Sequence, residues 1–235
     1  MRSLLQDFRY GLRTLLKTRS FTAVALLTLG LGIGANTAIF SVVNAVLLRP
    51  LAMVQPQRVM LLQEVWQGRE GNVSVGNFSD VHDQNTVFAA VSASVSASFN
   101  LATADAPERI DGERVSADYF ATFGVQPLRG RVIAADENVP GHNQVALISE
   151  RLWRTRFQSD PGLIGRNIQL NGVPTSVIGI MPKSFDPLLS DSDIWTPAAF
   201  TASERADHDN HYLVVLARLK PGVSIEKARA ELAVM

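Results

Sequence analysis

FTAVALLTLGLGIGANTAIFSVVNAVLL, residues 21–48, contains no charged side chain. Ala, Val, Leu and Ile dominate it, broken only by Gly, Thr, Ser, Phe and two Asn. As a helix it would reach roughly 42 Å, against roughly 30 Å of hydrocarbon in a bilayer. It therefore predicts one transmembrane helix over residues 20–48, tilted or with its ends among the headgroups.

The flanks set a direction. Arg2, Arg9, Arg13, Lys17 and Arg19 precede the run against Asp7 alone, whereas Arg49 and Arg58 are the only basic residues close behind it. By the positive-inside rule the N-terminus stays in the cytoplasm and the rest of the chain crosses. A cleaved signal peptide is the competing reading, and Val43-Asn44-Ala45 has the small residues of a cleavage site. The apolar run, however, is longer than a signal core, and its basic leader is long as well. Within residues 1–19, Leu4, Leu5, Phe8, Leu12, Leu15 and Leu16 recur at three- and four-residue spacing, with basic residues largely between them. That pattern predicts a cytoplasmic amphipathic helix lying in the membrane surface. A plain topology signal or a docking face for a cytoplasmic partner would use the same residues, with Leu5, Arg9, Leu12, Arg13 and Lys17 as the surface-facing candidates.

Inside the span, Gly30-Leu31-Gly32-Ile33-Gly34-Ala35 matches the dinucleotide fingerprint G-x-G-x-x-A. No acidic residue follows until Glu64, so the ribose-binding carboxylate is missing at its expected distance. Gly34-Ala35-Asn36-Thr37 likewise lacks the lysine of a phosphate-binding loop. The same glycines suit membrane packing. Gly30, Gly34 and Ala38 form a small-xxx-small ladder on which another helix can approach closely, and Asn36 and Asn44 are costly toward lipid.

The whole-chain balance is 22 basic and 22 acidic residues, which argues against nucleic acid as a partner because phosphate neutralisation needs a basic excess. There is no Cys, which closes disulfides and thiol chemistry. Beyond Arg49 the texture is that of an α+β domain. Strands are predicted over residues 58–66, 91–101, 108–115, 144–148, 166–170, 173–180 and 211–219. Asn171-Gly172 is the preferred pair for a type I′ hairpin turn. Helices are predicted late in residues 74–90, over 116–124 with Ser116 as N-cap, over 149–157, and from Ser224 to the end of the chain. That last helix meets no stop signal, so the chain reads as ending inside an element.

Catalytic patterns are weak. Gly71-Asn72-Val73-Ser74-Val75-Gly76 is one residue too long for a nucleophile elbow and reads as a loop. His208-Asp209-Asn210-His211 offers two imidazoles but no third ligand, and reads as a solvated loop before a strand. Asp191 and Asp193 sit in a connecting stretch anchored by Trp195. Arg151, Arg154 and Arg156 read as the wet face of a helix whose Leu152, Trp153 and Phe157 pack inward. No catalytic, cofactor or metal residues are assigned.

Arg9-Tyr10-Gly11-Leu12-Arg13-Thr14-Leu15-Leu16-Lys17, Phe21-Thr22 and the block from Leu29-Gly30-Leu31-Gly32-Ile33-Gly34-Ala35-Asn36-Thr37 to Val43-Asn44 resemble the amino-terminal signature of ABC transporter permeases of the MacB/FtsX type, notably orphan permeases of acidobacterial type. The likeness continues through Val115-Ser116-Ala117-Asp118-Tyr119-Phe120, Gly130-Arg131, Ser149-Glu150-Arg151-Leu152-Trp153, Gly179-Ile180-Met181-Pro182 and Arg218-Leu219-Lys220-Pro221-Gly222. The resemblance implies a two-lobed periplasmic α/β core over residues 49–235: a porter-like lobe from residues 49–115 and 208–235, with a smaller inserted lobe at about 116–207. It implies an inner-membrane subunit that works as a dimer with a cytoplasmic ABC ATPase subunit, in contact with the bilayer and with a periplasmic partner protein. ATPase motion would pass through the membrane helices to the periplasmic core for export or mechanotransmission. Three further membrane helices of such permeases are missing here, so the sequence reads as an N-terminal portion. The alternative is a membrane-anchored periplasmic binding, sensor or adaptor domain.

Overall fold

The computed structural model describes Tyr10 and residues 17–46, 53–66, 68–102, 106–185 and 191–235, with side chains for all of these except 42–46 and 66. The chain divides into two units, Met1–Pro50 and Leu51–Met235.

The first unit contains α1, Arg19–Val46, the one helix among the described residues long and apolar enough to cross a membrane. Its described side chains are almost all exposed. The hydroxyls of Thr28, Thr37 and Ser41 donate to the carbonyls of Val24, Ile33 and Thr37, each one turn back, at 2.7–2.9 Å. These three hydroxyls are thereby satisfied within the helix itself.

The second unit is a mixed α/β domain. Its strands are β1 (Val59–Leu62), β2 (Glu64–Trp66), β3 (Arg69–Gly71), β4 (Val73–Ser74), β5 (Phe88–Leu101), β6 (Glu108–Val115), β7 (Arg129–Gly130), β8 (Val145–Ser149), β9 (Asn167–Leu170), β10 (Val173–Met181), β11 (Ile194–Pro197) and β12 (His211–Leu219). Its helices are α2 (Val75–Gln84), α3 (Tyr119–Phe123), α4 (Glu150–Arg156), α5 (Ala202–Arg205) and α6 (Ile225–Leu232). One sheet runs β1-β12-β5-β6-β11-β8-β10-β7, with β4 added to β12 and β9 joined to β10 and β5, while β2 and β3 form a separate hairpin. Most neighbours are antiparallel, but β6–β11 and β8–β10 are parallel.

Local chemistry accounts for several boundaries. Asn171 and Gly172 take φ of 51° and 79° between β9 and β10, as the type I′ turn demands. Ser149 and Ser224 cap α4 and α6 by accepting from the amides of Leu152 and Lys227. Gly124, at φ 70°, ends α3. Other expectations are corrected. Ser116 does not cap α3; its hydroxyl accepts from Ala93 N on β5, and its own amide donates to Ala93 O. The stretch 71–76 is not a loop: β4 runs directly into α2, and Ser74 is the helix cap. The strand foreseen over 58–66 breaks at Gln63 into β1 and β2, and the last helix ends at Leu232. Residues 88–90, foreseen in a helix, open β5 by pairing with β12.

Three apolar clusters fill the domain. One, including Phe78, Val91, Phe200, Leu213 and Val215, lies under α2 and α6. Another, including Phe99, Ile148, Leu152, Trp153 and Ile168, lies under α4. The third gathers Tyr119, Phe120 and Phe123 of α3 with Phe185 and Trp195, ring centroids 5.0–6.4 Å apart. At its border the buried Glu113 accepts from the Tyr119 hydroxyl at 2.7 Å and from Ser192 at 3.0 Å, so a carboxylate inside the domain has donors.

Phe120 is 1% exposed and touches two other rings of this cluster besides its neighbour Tyr119. Phe120→Ala is expected to destabilise the domain by about 3–5 kcal/mol. Val234→Ala, at a side chain 84% exposed, should change stability by less than about 0.5 kcal/mol. Urea titrations of the two purified variants would measure the contrast.

Candidate functional site

Two surfaces follow from these elements. The first is α1. Gly30, Gly34 and Ala38 lie one turn apart, and a Cβ built on Gly30 or Gly34 meets nothing within 4 Å, so this face is open within the chain. At about 100° per residue, Asn36 points roughly 160° away from the centre of that ladder. The small-residue face and the Asn36 amide therefore address opposite sides of the helix. Asn44 lies on α1, but its side chain falls outside the described set. Leu5, Arg9, Leu12 and Arg13 lie outside the described residues, whereas Lys17 is described and exposed.

The second surface surrounds α2. Ser74 caps the helix by accepting from Asn77 N at 3.2 Å, while its own amide donates to Glu64 Oε1 at 3.0 Å. The other oxygen of Glu64 lies 2.6 Å from His211 Nε2, and His211 stands opposite Ser74 in the β4–β12 register. One carboxylate thus ties β12 and β2 to the start of α2. Farther along, Gly76 N donates to Asp207 O at 2.8 Å, and Asp80 Oδ2 lies 2.9 Å from His208 Nε2. Beyond it, His82 bridges Asp83 at 2.7 Å and Asp118, just before α3, at 3.1 Å. The hydrogen bond to Asp118 is the chief cause that holds the His82 imidazole protonated up to about 9, against the drag of partial burial, with Asp83 adding to it. The His208 pKa is raised as well, mainly by Asp80.

Between α2, β1, β2 and α6 lies a groove of about 490 Å³. Met60, Leu62, Phe78, Val81 and Leu232 line it together with Glu64 and Asp80.

His208 and His211, adjacent in the sequence motif, turn to different carboxylates instead of converging. Ser74 is fully buried and spends its hydroxyl on a helix amide, so the elbow-like motif is a cap. Asp193 accepts from Ser149 and Arg151, and Arg151 also donates to Asp191 O, which makes this acidic stretch a brace for the start of α4. Arg154 and Arg156 pair with Glu150 and Glu108 on the exposed side of α4. Sequence reasoning missed Glu64, Asp80, His82 and Asp118. Their partners lie 36 to 147 positions away and leave no local signature.

The family model for the MacB-like periplasmic core domain matches residues 22–234, nearly the whole chain. The chain belongs to this family. Two MacB macrolide export ATP-binding/permease proteins, from Burkholderia pseudomallei strains 1710b and K96243, are each 30% identical to it over 123 residues. The match takes in 52% of this chain but only 18% of each relative's length. Among solved structures, the periplasmic region of MacB from Actinobacillus actinomycetemcomitans superposes with a TM-score of 0.57 at 15% identity, covering 77% of this chain and 85% of that one. The extracellular domain of the noncanonic ABC-type transporter YknZ from Gram-positive bacteria gives 0.51 at 12% identity, over 73% and 86%. These likenesses establish the fold of the second unit. The chain therefore carries the MacB-like periplasmic domain of an ABC transporter permease family, together with one apolar helix of membrane-spanning length.

In this MacB-like core a Cβ at Gly76 would sit 2.7 Å from the His208 ring and 2.8 Å from Asp207 O. Gly76→Ala should force the 207–208 segment off α2 and cost about 1–3 kcal/mol. Gly71→Ala, with nothing within 4 Å, should be close to neutral, and thermal melts of the full chain in detergent compare the two.

Proposed function

We propose that the chain is the N-terminal portion of a permease subunit of a MacB/FtsX-type ABC transporter, inserted in the bacterial inner membrane with its N-terminus in the cytoplasm. It passes the motion of a cytoplasmic ATPase subunit to a periplasmic core, for export or mechanotransmission. The observation that carries this reading is an apolar helix with no charged residue from Phe21 to Leu48, preceded by a basic leader, within a match to the MacB-like family that runs from residue 22 to residue 234. An apolar helix exposed along its length needs lipid or other helices around it. The leader supplies the positive charge that retains its side in the cytoplasm.

Within that assembly, Gly30, Gly34 and Ala38 receive a helix of a second permease subunit or of the same subunit, and Asn36 addresses a neighbour on the opposite side. Leu5, Arg9, Leu12, Arg13 and Lys17 face the headgroups or the ATPase. The periplasmic core divides into a porter-like lobe, residues 49–115 and 208–235, and an inserted lobe at about 116–207. A periplasmic partner protein would dock on this core.

The absence of Cys makes topology directly measurable. Ser203→Cys, on the exposed surface of α5, should react with a membrane-impermeant maleimide once the outer membrane is permeabilised, and Ser3→Cys only after the inner membrane is opened; the reverse pattern removes the assignment. In membranes carrying two differently tagged copies, Gly30→Leu with Gly34→Leu should reduce co-purification several-fold, because the larger side chains block close approach without a clash inside the chain. Undiminished association would eliminate the ladder as a contact.

A further inference from the structure

We infer that α2 is a latched wall of the 490 Å³ groove, tied down by three histidine–carboxylate pairs, and that loss of the proton from His82 and His208 lets it swing away while the sheet stays folded. The sequence contains four histidines, and three of them meet carboxylates of other elements around this one helix. His211 of β12 meets Glu64 of β2, which also holds the Ser74 amide at the start of α2. His208, from the segment before β12, meets Asp80 in the middle of α2. His82, near the end of α2, meets Asp118. The helix is thus held at its start, middle and end.

The fit is built in. Gly76 leaves room for the His208 ring to lie against α2, and its amide donates to Asp207 O. Two of the paired carboxylates, Glu64 and Asp80, are groove walls themselves. Other charged groups face the latch too. Asp83 on α2 reinforces His82, while Arg205 of α5 lines the same cleft as His82 and Asp118. Asp207 and Asp209 flank His208 in sequence, and Glu70 of β3 and Arg229 of α6 line the groove near Glu64. Around His82 and His208 the near charges are chiefly acidic, which favours the charged imidazole.

The sign follows from the chemistry. A histidine stabilised as the cation contributes fully below its unfolded pKa, near 6.5, and the contribution is lost as pH rises through the folded value. For His82 that value is about 9. The latch is closed at neutral pH and opens in the alkaline range. What gives way is α2, because a ten-residue helix is marginal in water without its tertiary contacts. Its pairs are also partly exposed, with His82 and His208 side chains at 42% and 49%, so water readily replaces them.

The test is hydrogen exchange of the full chain in nanodiscs from pH 6.5 to 9.5, corrected for the intrinsic base-catalysed rate. Protection of α2 amides should fall roughly tenfold across this range, as the exposed His82–Asp118 and His208–Asp80 pairs are lost. Amides of β5 and β12 should stay unchanged. His82→Gln, His208→Gln and His211→Gln combined should show low α2 protection already at pH 6.5 and no step. A flat profile in the wild type, or the same step in the triple variant, overturns the latch. If the triple variant loses protection in β5 as well, Asp118→Asn is read instead by nitrogen-15 NMR. The His82 midpoint should drop from about 9 toward 6.5, and an unmoved midpoint also overturns the proposal.

Discussion

The domain depends on a partner exchange at Ser94. Strand β5 is bonded to β12 over residues 88–94 and to β6 over residues 94–101, so Ser94 is the one position that appears in both registers. Each half of β5 has a full ladder on one edge, and the step between them must be closed by something else. Ser116 closes it, with its amide and hydroxyl bonded to the carbonyl and amide of Ala93. Buried backbone groups cannot be left unpaired at little cost, and this serine therefore serves the sheet where local pattern would have made it a helix cap. The step also sorts the cores: side chains on the first half of β5 contribute to the cluster under α2 and α6, and Phe99 and Leu101 on the second half to the cluster under α4.

For the first unit the governing constraint is composition. Its large apolar side chains from Phe21 to Phe40 are exposed among the described residues. Its hydroxyls bond one turn back, and its remaining polar side chain in the middle, Asn36, stands opposite the small-residue ladder. The small-residue ladder and the Asn36 amide thus place different demands on the two sides of the helix.

What could be read from the sequence was what local chemistry decides. The long apolar helix α1 follows from an unbroken uncharged run, the β9–β10 hairpin from Asn171-Gly172, and the starts of α4 and α6 from Ser149 and Ser224. Each depends on residues within a few positions. Ser74 and Ser116 show the limit. The first is flanked by Gly71 and Gly76 and so resembles a loop, yet Gly76 is needed because the 207–208 segment packs against it. The second is pre-empted by a strand more than twenty positions away. The sheet order, with β11 between β6 and β8 and β12 between β1 and β5, rests on pairings between distant segments that no periodicity encodes. The same holds for the site: the histidines stood out as residue types, but Glu64, Asp80 and Asp118 become their partners only once the chain is folded.

The two sides of the domain consequently differ in how they can move. Around α3 the contacts are interlocked rings, with Phe120, Phe123 and Trp195 each at most 1% exposed. Displacing any of them opens a cavity, a cost that resists small adjustments. Around α2 the helix buries Val75, Phe78 and Ser79 on one face, and its rim is held by charge pairs reached by water. Such pairs are weak individually and depend on protonation, so they can be exchanged for water without leaving a void. His82 joins the two regions through Asp118, which places the polar hinge directly beside the rigid aromatic cluster. A displacement at α2 therefore has a fixed surface to work against, and the groove between α2 and β1 is where the change in shape would be felt.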